Sequence, residues 1–449
     1  MINIEPLSIK ALAKIVDAKL YNECLDKHID KISLDSRLKN TNYCFFAIKG
    51  EKHNGNEFIE EALKNGAAAI VSNADKPNGI TTPYLQVQDT KNALGLLARA
   101  LKGQGKIIGI TGSVGKTTVK ELTWQVLTKK YSCNKSEKNH NNEIGVPLTL
   151  LKGIGNDFNI VEMGMRGLGE IEWLSFISEP ELSVITNIGT SHIERLKSKQ
   201  NIFKAKTEIL KYTRKYAIVP NEEEFHSLSY QNKKTIYVGD GGDCSASNII
   251  IKREKITFDV DIFKEKIQGI EINGYSKCLA YNALFAIAIG KLYGVKNEDI
   301  KSALSKYNGC EMRGEIIKIG EYTIINDCYN ASYESMVESI TSAKRYADLY
   351  SKSLVAVLGD MLELGECSRE YHYRVGELAR DIGIKNIIST GKYGKCILDG
   401  YSGGEYYEDK KQITKALFSS LENNDIILFK ASRGVCLEKV IEQMREILK

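Results

Sequence analysis

The sequence predicts an α/β protein of three successive domains, the middle one built on a mostly parallel sheet. Three observations predict it. At 449 residues the chain is too long for a single core, and length alone favours about three domains. From Lys106 onward, short apolar strand candidates alternate with helical stretches, the pattern of a parallel sheet with crossover helices. That pattern breaks at residues 246–272, which alternate apolar and polar like short antiparallel strands, and it restarts from Glu315. The expected domains are 1–104, 105–312 and 313–449.

In the first domain, residues 43–48 are a strand candidate, 58–64 a helix and 67–71 a second strand. Thr90 is a good N-cap for an amphipathic helix reaching Leu101, and Gly103-Gln104-Gly105 reads as a hinge. In the middle domain an apolar run at 106–108 leads into a glycine turn and a helix over 119–127. Further strands are expected at 158–161, 182–186 and 216–219, with helices at about 279–293 and 298–306. The third domain has strand candidates at 322–325, 353–358, 386–388 and 425–429, separated by helical segments. Ligands of such sheets gather beyond the carboxyl ends of the strands.

Composition narrows the class. A 43% hydrophobic and 27% charged content suits a soluble globular protein. The net charge of +5 comes from scattered rather than clustered basic residues, so no nucleic-acid partner is expected. Ten cysteines occur singly, from Cys24 to Cys436, without a Cys-x-x-Cys pair, which argues against zinc and redox motifs and for a reducing compartment. The N-terminus lacks the basic-then-apolar pattern of a signal peptide, and the longest helix-like apolar run, 283–289, is far too short for a membrane span. A cytoplasmic protein is expected.

The strongest motif is Gly109-Ile110-Thr111-Gly112-Ser113-Val114-Gly115-Lys116-Thr117-Thr118. A strand, a glycine turn, a lysine and a hydroxyl before a helix make a phosphate cradle: backbone N–H groups face the anion, Lys116 neutralises charge and Thr117 can ligate Mg²⁺. The first glycine sits one residue early, at Gly109 rather than at Ile110, and an ordinary strand–turn–helix corner is the alternative. ATP or GTP is the expected ligand; the absence of an Asn-Lys-x-Asp tetrapeptide disfavours GTP.

Further polar groups follow strand candidates. Asn141-Asn142-Glu143, taken in isolation, reads better as a plain loop. Glu162 directly follows the 158–161 strand, where P-loop enzymes hold Mg²⁺; without the P-loop, a solvated strand-end glutamate would be an equal reading. His192 follows the 182–186 strand, although a lone histidine is more often structural. Lys206 lies on a helix, where sequence physics alone gives no reason to select it. The stretches 326–330, 358–365 and 430–434 each put charge and glycine or a turn former just beyond an apolar strand, and together suggest a ligand-facing rim.

These features, in this order, resemble the Mur ligase family, the ATP-dependent amide ligases that build the peptide stem of bacterial peptidoglycan. The resemblance spans nearly the whole chain. It is carried by Asp35-Ser36-Arg37 with residues 45–50, by 111–118, 141–151, 162–167 and 187–192, and by 326–331, 359–365 and Ser432-Arg433. It implies an N-terminal UDP-sugar-substrate domain, a central P-loop ATPase domain and a C-terminal Rossmann-like ligase domain. Within the family it points to the step that joins D-alanyl-D-alanine to UDP-N-acetylmuramoyl-tripeptide through an acyl phosphate, releasing ADP. By resemblance, Thr111, Gly112, Ser113, Val114, Gly115, Lys116, Thr117 and Thr118 cradle ATP, with Asn282, Arg313 and Asp327 as further nucleotide contacts. Thr117 and Glu162 would hold one Mg²⁺, and His192 with a carbamylated Lys206 a second. Lys116, His192 and Lys206 would be catalytic, and Ser36, Arg37 and Asn142 would contact the substrate. A monomer is expected. The chain also departs from the family pattern: Asn54-Gly55-Asn56 replaces the usual Asp-Gly-His, and Ser276-Lys277-Cys278 replaces Gly-Arg-His. A ligase for another carboxylate and amine, in a side pathway, therefore stands as the alternative.

Overall fold

Three runs of β-forming sequence close into three separate sheets, in chain order. A computed structural model describes residues 1–22, 27–50, 53–228, 233–422 and 425–448. Cys24 lies outside the described residues; the other nine cysteines carry free thiols.

The first sheet has six strands, in the order Ile2–Ser8, His28–Ser33, Tyr43–Phe46, Ala67–Ser72, Tyr84–Gln86 and Lys19–Tyr21. Its four inner strands run parallel and both edge strands pair antiparallel. Tyr43–Phe46 is buried on both faces, as a central parallel strand should be. The helix that follows, Thr90–Leu101, is capped by Asp89 rather than Thr90. The Asp89 carboxylate accepts from the N–H groups of Lys91 and Asn92 at 2.7 and 2.9 Å, so Thr90 is the first helical residue.

The second sheet has nine strands. Its parallel part runs in the order Cys133–Lys135, Phe158–Glu162, Lys106–Thr111, Leu182–Ile185, Tyr216–Pro220, Lys234–Val238 and Cys244–Lys252. The stretch with antiparallel character is a meander of Cys244–Lys252, Lys255–Ile262 and Glu265–Asn273. Helices Lys116–Leu127 and Lys277–Leu292 cover one face; Gly145–Lys152, Glu170–Ser178 and Lys199–Thr207 pack on the other, where their core merges with that of the first domain. The helix after the glycine turn begins at Lys116, three residues before the apolar periodicity does, because its first turn is polar.

The third sheet has six strands in the order Glu315–Ile319, Tyr322–Asp327, Ile426–Lys430, Leu354–Leu358, Asn386–Ser389 and Glu405–Tyr406, all parallel except the first pair. Among the described residues no helix is long and apolar enough to cross a membrane.

Candidate active site

The polar residues collect where the topology requires. Strand Lys106–Thr111 lies between Phe158–Glu162 and Leu182–Ile185, all three parallel, so Glu162 and the Thr186-Asn187 segment emerge on either side of the glycine turn. The turn needs its glycines. Gly112 has φ +146° and a Cβ there would sit 1.9 Å from Thr186 Oγ1; Gly115 has φ +85° and its Cβ would sit 2.7 Å from Asn282 Oδ1. The neighbouring strand end fixes the loop. Asn187 accepts the Val114 N–H at Oδ1 (2.9 Å), its carbonyl accepts the Ser113 N–H (3.1 Å), and its Nδ2 donates to the Val114 carbonyl (3.1 Å). Thr186 Oγ1 donates to that same carbonyl at 2.5 Å, and Ser113 Oγ accepts the Gly189 N–H at 2.8 Å.

Beyond the loop, the first-turn N–H groups of Lys116, Thr117 and Thr118 have no intrahelical acceptor and form an anion-binding end. Lys116 Nζ curls back to donate to the carbonyls of Gly112 (2.8 Å) and Ser113 (3.2 Å). Burial pushes its ammonium pKa down, Glu162 opposes this and Arg313 adds to it. Thr117 Oγ1 donates to Glu162 Oε2 at 2.9 Å, and Asn141 Nδ2 donates to Glu162 Oε1 at 2.9 Å. A buried carboxylate beside a hydroxyl is a hard oxygen donor pair that fits Mg²⁺. Among the described residues no ready cluster of three or more His, Cys, Asp or Glu side chains is present, so ligands beyond the protein would have to complete the coordination.

Lys206 is 2% exposed and its side-chain amine makes no hydrogen bond or ion pair among the described residues. Burial, and then the nearby Lys116 ammonium, hold its pKa well below the ordinary lysine value. Such a shift favours the neutral amine, the form that adds CO₂. His192 has φ +66° and its Nδ1 pairs with Glu363 Oε2.

The C-terminal sheet supplies the opposite wall. Asp327 and Lys430 end adjacent parallel strands in register, and Lys430 Nζ donates to Asp327 Oδ2 at 2.7 Å. The Arg313 guanidinium lies 3.7 Å from the centroid of the Tyr329 ring. Lys116, Glu162, His192, Lys206, Arg313 and Asp327 all line one cavity of about 1660 Å³, which also reaches Gly50 and Lys91 of the first domain.

Three family descriptions match successive stretches: the Mur ligase family catalytic domain over residues 28–102, the Mur ligase middle domain over 110–290 and the Mur ligase glutamate ligase domain over 312–433. The UDP-N-acetylmuramoyl-tripeptide–D-alanyl-D-alanine ligase of Bacillus subtilis is 34% identical over 98% of each chain. The chain belongs to the Mur ligase family. The Escherichia coli ligase of the same name is 29% identical over 98% of each chain. A crystal structure of MurF from Acinetobacter baumannii, 26% identical, superposes with a TM-score of 0.91 over 99% of this chain and 100% of that one. The MurF ligase of Thermotoga maritima in complex with ADP, 28% identical, gives 0.84 over 93% and 97%.

In this Mur ligase not every expected residue reaches the cavity. Asn142 does, with its Oδ1 accepting the N–H groups of Ile144 (3.3 Å) and Gly145 (2.9 Å) at the start of a helix. Ser36 and Arg37 do not line it: Ser36 pairs with Glu61, and Arg37 donates to Asp35 at 2.7 and 2.8 Å on the first domain. Sequence reasoning passed over Lys120, which is wholly buried with Nζ 3.6 Å from Glu162 Oε2 and 3.1 Å from the Lys138 carbonyl. Its signal was its spacing: it lies one helical turn after Lys116, on the buried side of the helix. Glu334 was also missed. It takes the Thr190 N–H and hydroxyl at 2.8 and 2.9 Å and so ties the third domain to the second, a pairing 144 residues apart that no local pattern announces.

Proposed function

We propose that the chain is an ATP-dependent, ADP-forming ligase that joins D-alanyl-D-alanine to UDP-N-acetylmuramoyl-tripeptide. The names of its relatives support this, and the ADP held by the Thermotoga maritima structure supports ATP as the nucleotide. The observation that carries the reading is one shared cavity in which Lys116 and the Thr117–Glu162 pair face Asp327 and Lys430 of the third domain.

The first step brings together two anions, the tripeptide carboxylate and the γ-phosphate. The carboxylate oxygen attacks phosphorus, the bond to the β-phosphate oxygen breaks, and ADP leaves an acyl phosphate behind. Lys116 and the first-turn N–H groups of its helix offset the charge and hold the phosphates in line. The dipeptide amine then attacks the acyl carbon, and the tetrahedral intermediate expels phosphate. Closure of the third domain over the nucleotide excludes the water that would hydrolyse the acyl phosphate.

Thr117 and Glu162 would hold one Mg²⁺, and His192 with Lys206 a second. Bound there, Mg²⁺ neutralises phosphate oxygens. Lys206 fits that role only after CO₂ turns its amine into an anionic carbamate, and its burial and lack of a partner support this modification. The first-domain side chains that replace the usual Asp-Gly-His are tied up locally: Asn56 bonds Asn54, Asn73 and Ser72 at 2.7–3.1 Å. Substrate choice is therefore the part to test. With UDP-N-acetylmuramoyl-tripeptide present, ADP release should depend on D-alanyl-D-alanine. ADP release that ignores this dipeptide but responds to another amine would replace the reading with a ligase for a different acceptor.

A further inference from the structure

His192 and Glu363 meet from two different domains, and each has a left-handed backbone, with φ of +66° and +65°. Non-glycine residues seldom adopt that conformation, and such strain is retained where surrounding contacts demand it. Those contacts are present. The Glu363 carbonyl accepts the Glu194 N–H at 3.1 Å, and a Cβ at Gly365 would lie 3.1–3.3 Å from Glu194. The loop after strand Leu354–Leu358 is thus laid closely along the turn that carries His192.

The two carboxylates that the third domain sends to this turn are used differently. Glu334 spends both oxygens on Thr190. Glu363 Oε2 lies against the buried Nδ1 of His192, a residue that lines the cavity, which leaves Nε2 as the ring's other nitrogen. A histidine that binds a metal through one nitrogen is commonly oriented by a carboxylate on the other.

We propose that Glu363 is a positioning residue for His192: its carboxylate fixes the ring so that the second nitrogen serves the metal site next to Lys206, and that site is complete only when the third domain is docked. The inference rests on the two-metal reading above. Metal binding can be measured apart from ligation, so the two stand or fall separately.

The test uses full-length protein with bicarbonate and a non-hydrolysable ATP analogue, with Mn²⁺ binding followed by electron paramagnetic resonance. The wild-type chain should hold two ions. Glu363→Ala should weaken one of them about 10–100-fold, the usual effect of losing such a partner, while leaving the other unchanged. Glu363→Gln, which keeps an acceptor for Nδ1–H, should recover most of the affinity and guards against a folding failure of the alanine variant. His192→Ala should weaken the same ion, and adding Glu363→Ala to it should change nothing more. Equal metal binding by Glu363→Ala and wild type would overturn the inference. So would an effect of Glu363→Ala that persists undiminished without His192, or a wild-type chain that holds a single ion. Failure of amide synthesis with Mn²⁺ binding intact would instead count against the proposed substrates.

Discussion

Lys206 shows how burial converts an unremarkable helix residue into a chemical one. An ordinary lysine is protonated at neutral pH and repels a metal; this one is buried beside a second ammonium and is driven toward the neutral amine. Its folded pKa is below the unfolded value, so over the window between them the unfolded chain binds the extra proton and stability rises with pH. In CO₂-free buffer, Lys206→Met should therefore be more stable than wild type near pH 7, with the gap closing toward pH 10.5, as measured by urea unfolding. A constant gap would mean that Lys206 keeps its charge. In activity, Lys206→Ala should lose turnover and regain part of it with small added carboxylates, which would stand in for the proposed carbamate; no rescue together with no CO₂ adduct by intact mass would remove that role. Lys116→Ala removes the cation that curls over the glycine turn and should lower kcat by about 10²–10³-fold; near-normal turnover would refute its proposed role.

Strand ends and helix starts do most of the assembly. At Gly115 a side chain would have to enter the left-handed region, at about 1–2 kcal/mol, and would press on Asn282. Gly115→Ala should weaken binding of an ATP analogue by at least about tenfold, which calorimetry can check. On the same helix, Lys120→Met would leave Glu162 buried without its nearest cation, and breaking such a buried pair costs about 3–5 kcal/mol; denaturant midpoints should fall accordingly and recover in part with Mg²⁺ and ATP. These elements also mark what a single sequence can tell. The P-loop, Glu162 and the rim at Asp327 and Lys430 were legible because glycines, charges and apolar strands sit in fixed local order. The cap at Asp89 was misread as Thr90 because two capping residues stand side by side and only geometry chooses between them. Lys120 and Glu334 were illegible as site residues, since each acts through a partner brought close by the sheets rather than by the chain.

At the scale of the whole molecule, the cavity exists because three domains hold their positions. Glu179 joins the first two: it accepts from Lys102 at 2.6 Å, Arg99 at 2.9 Å and Arg214 at 2.7 Å. Burial pushes its carboxyl upward, but these three cations outweigh burial and hold it at about 2. The stabilisation is therefore complete above the unfolded value of 4.5 and is lost as pH falls toward about 2. Acid should loosen the first domain over that interval, seen as a rise in radius of gyration by small-angle scattering, and Glu179→Gln should show the looser form already at pH 7. The third domain docks through Glu334 and Glu363 and closes the chamber in which an acid is activated by phosphoryl transfer. The most direct test of that claim is to label the tripeptide carboxylate with heavy oxygen and follow the label through one round of synthesis. The acyl phosphate route predicts one labelled oxygen in the inorganic phosphate released and ADP formed in equal amount; phosphate free of label, with the departing carboxylate oxygen found in water or in AMP instead, would contradict the account.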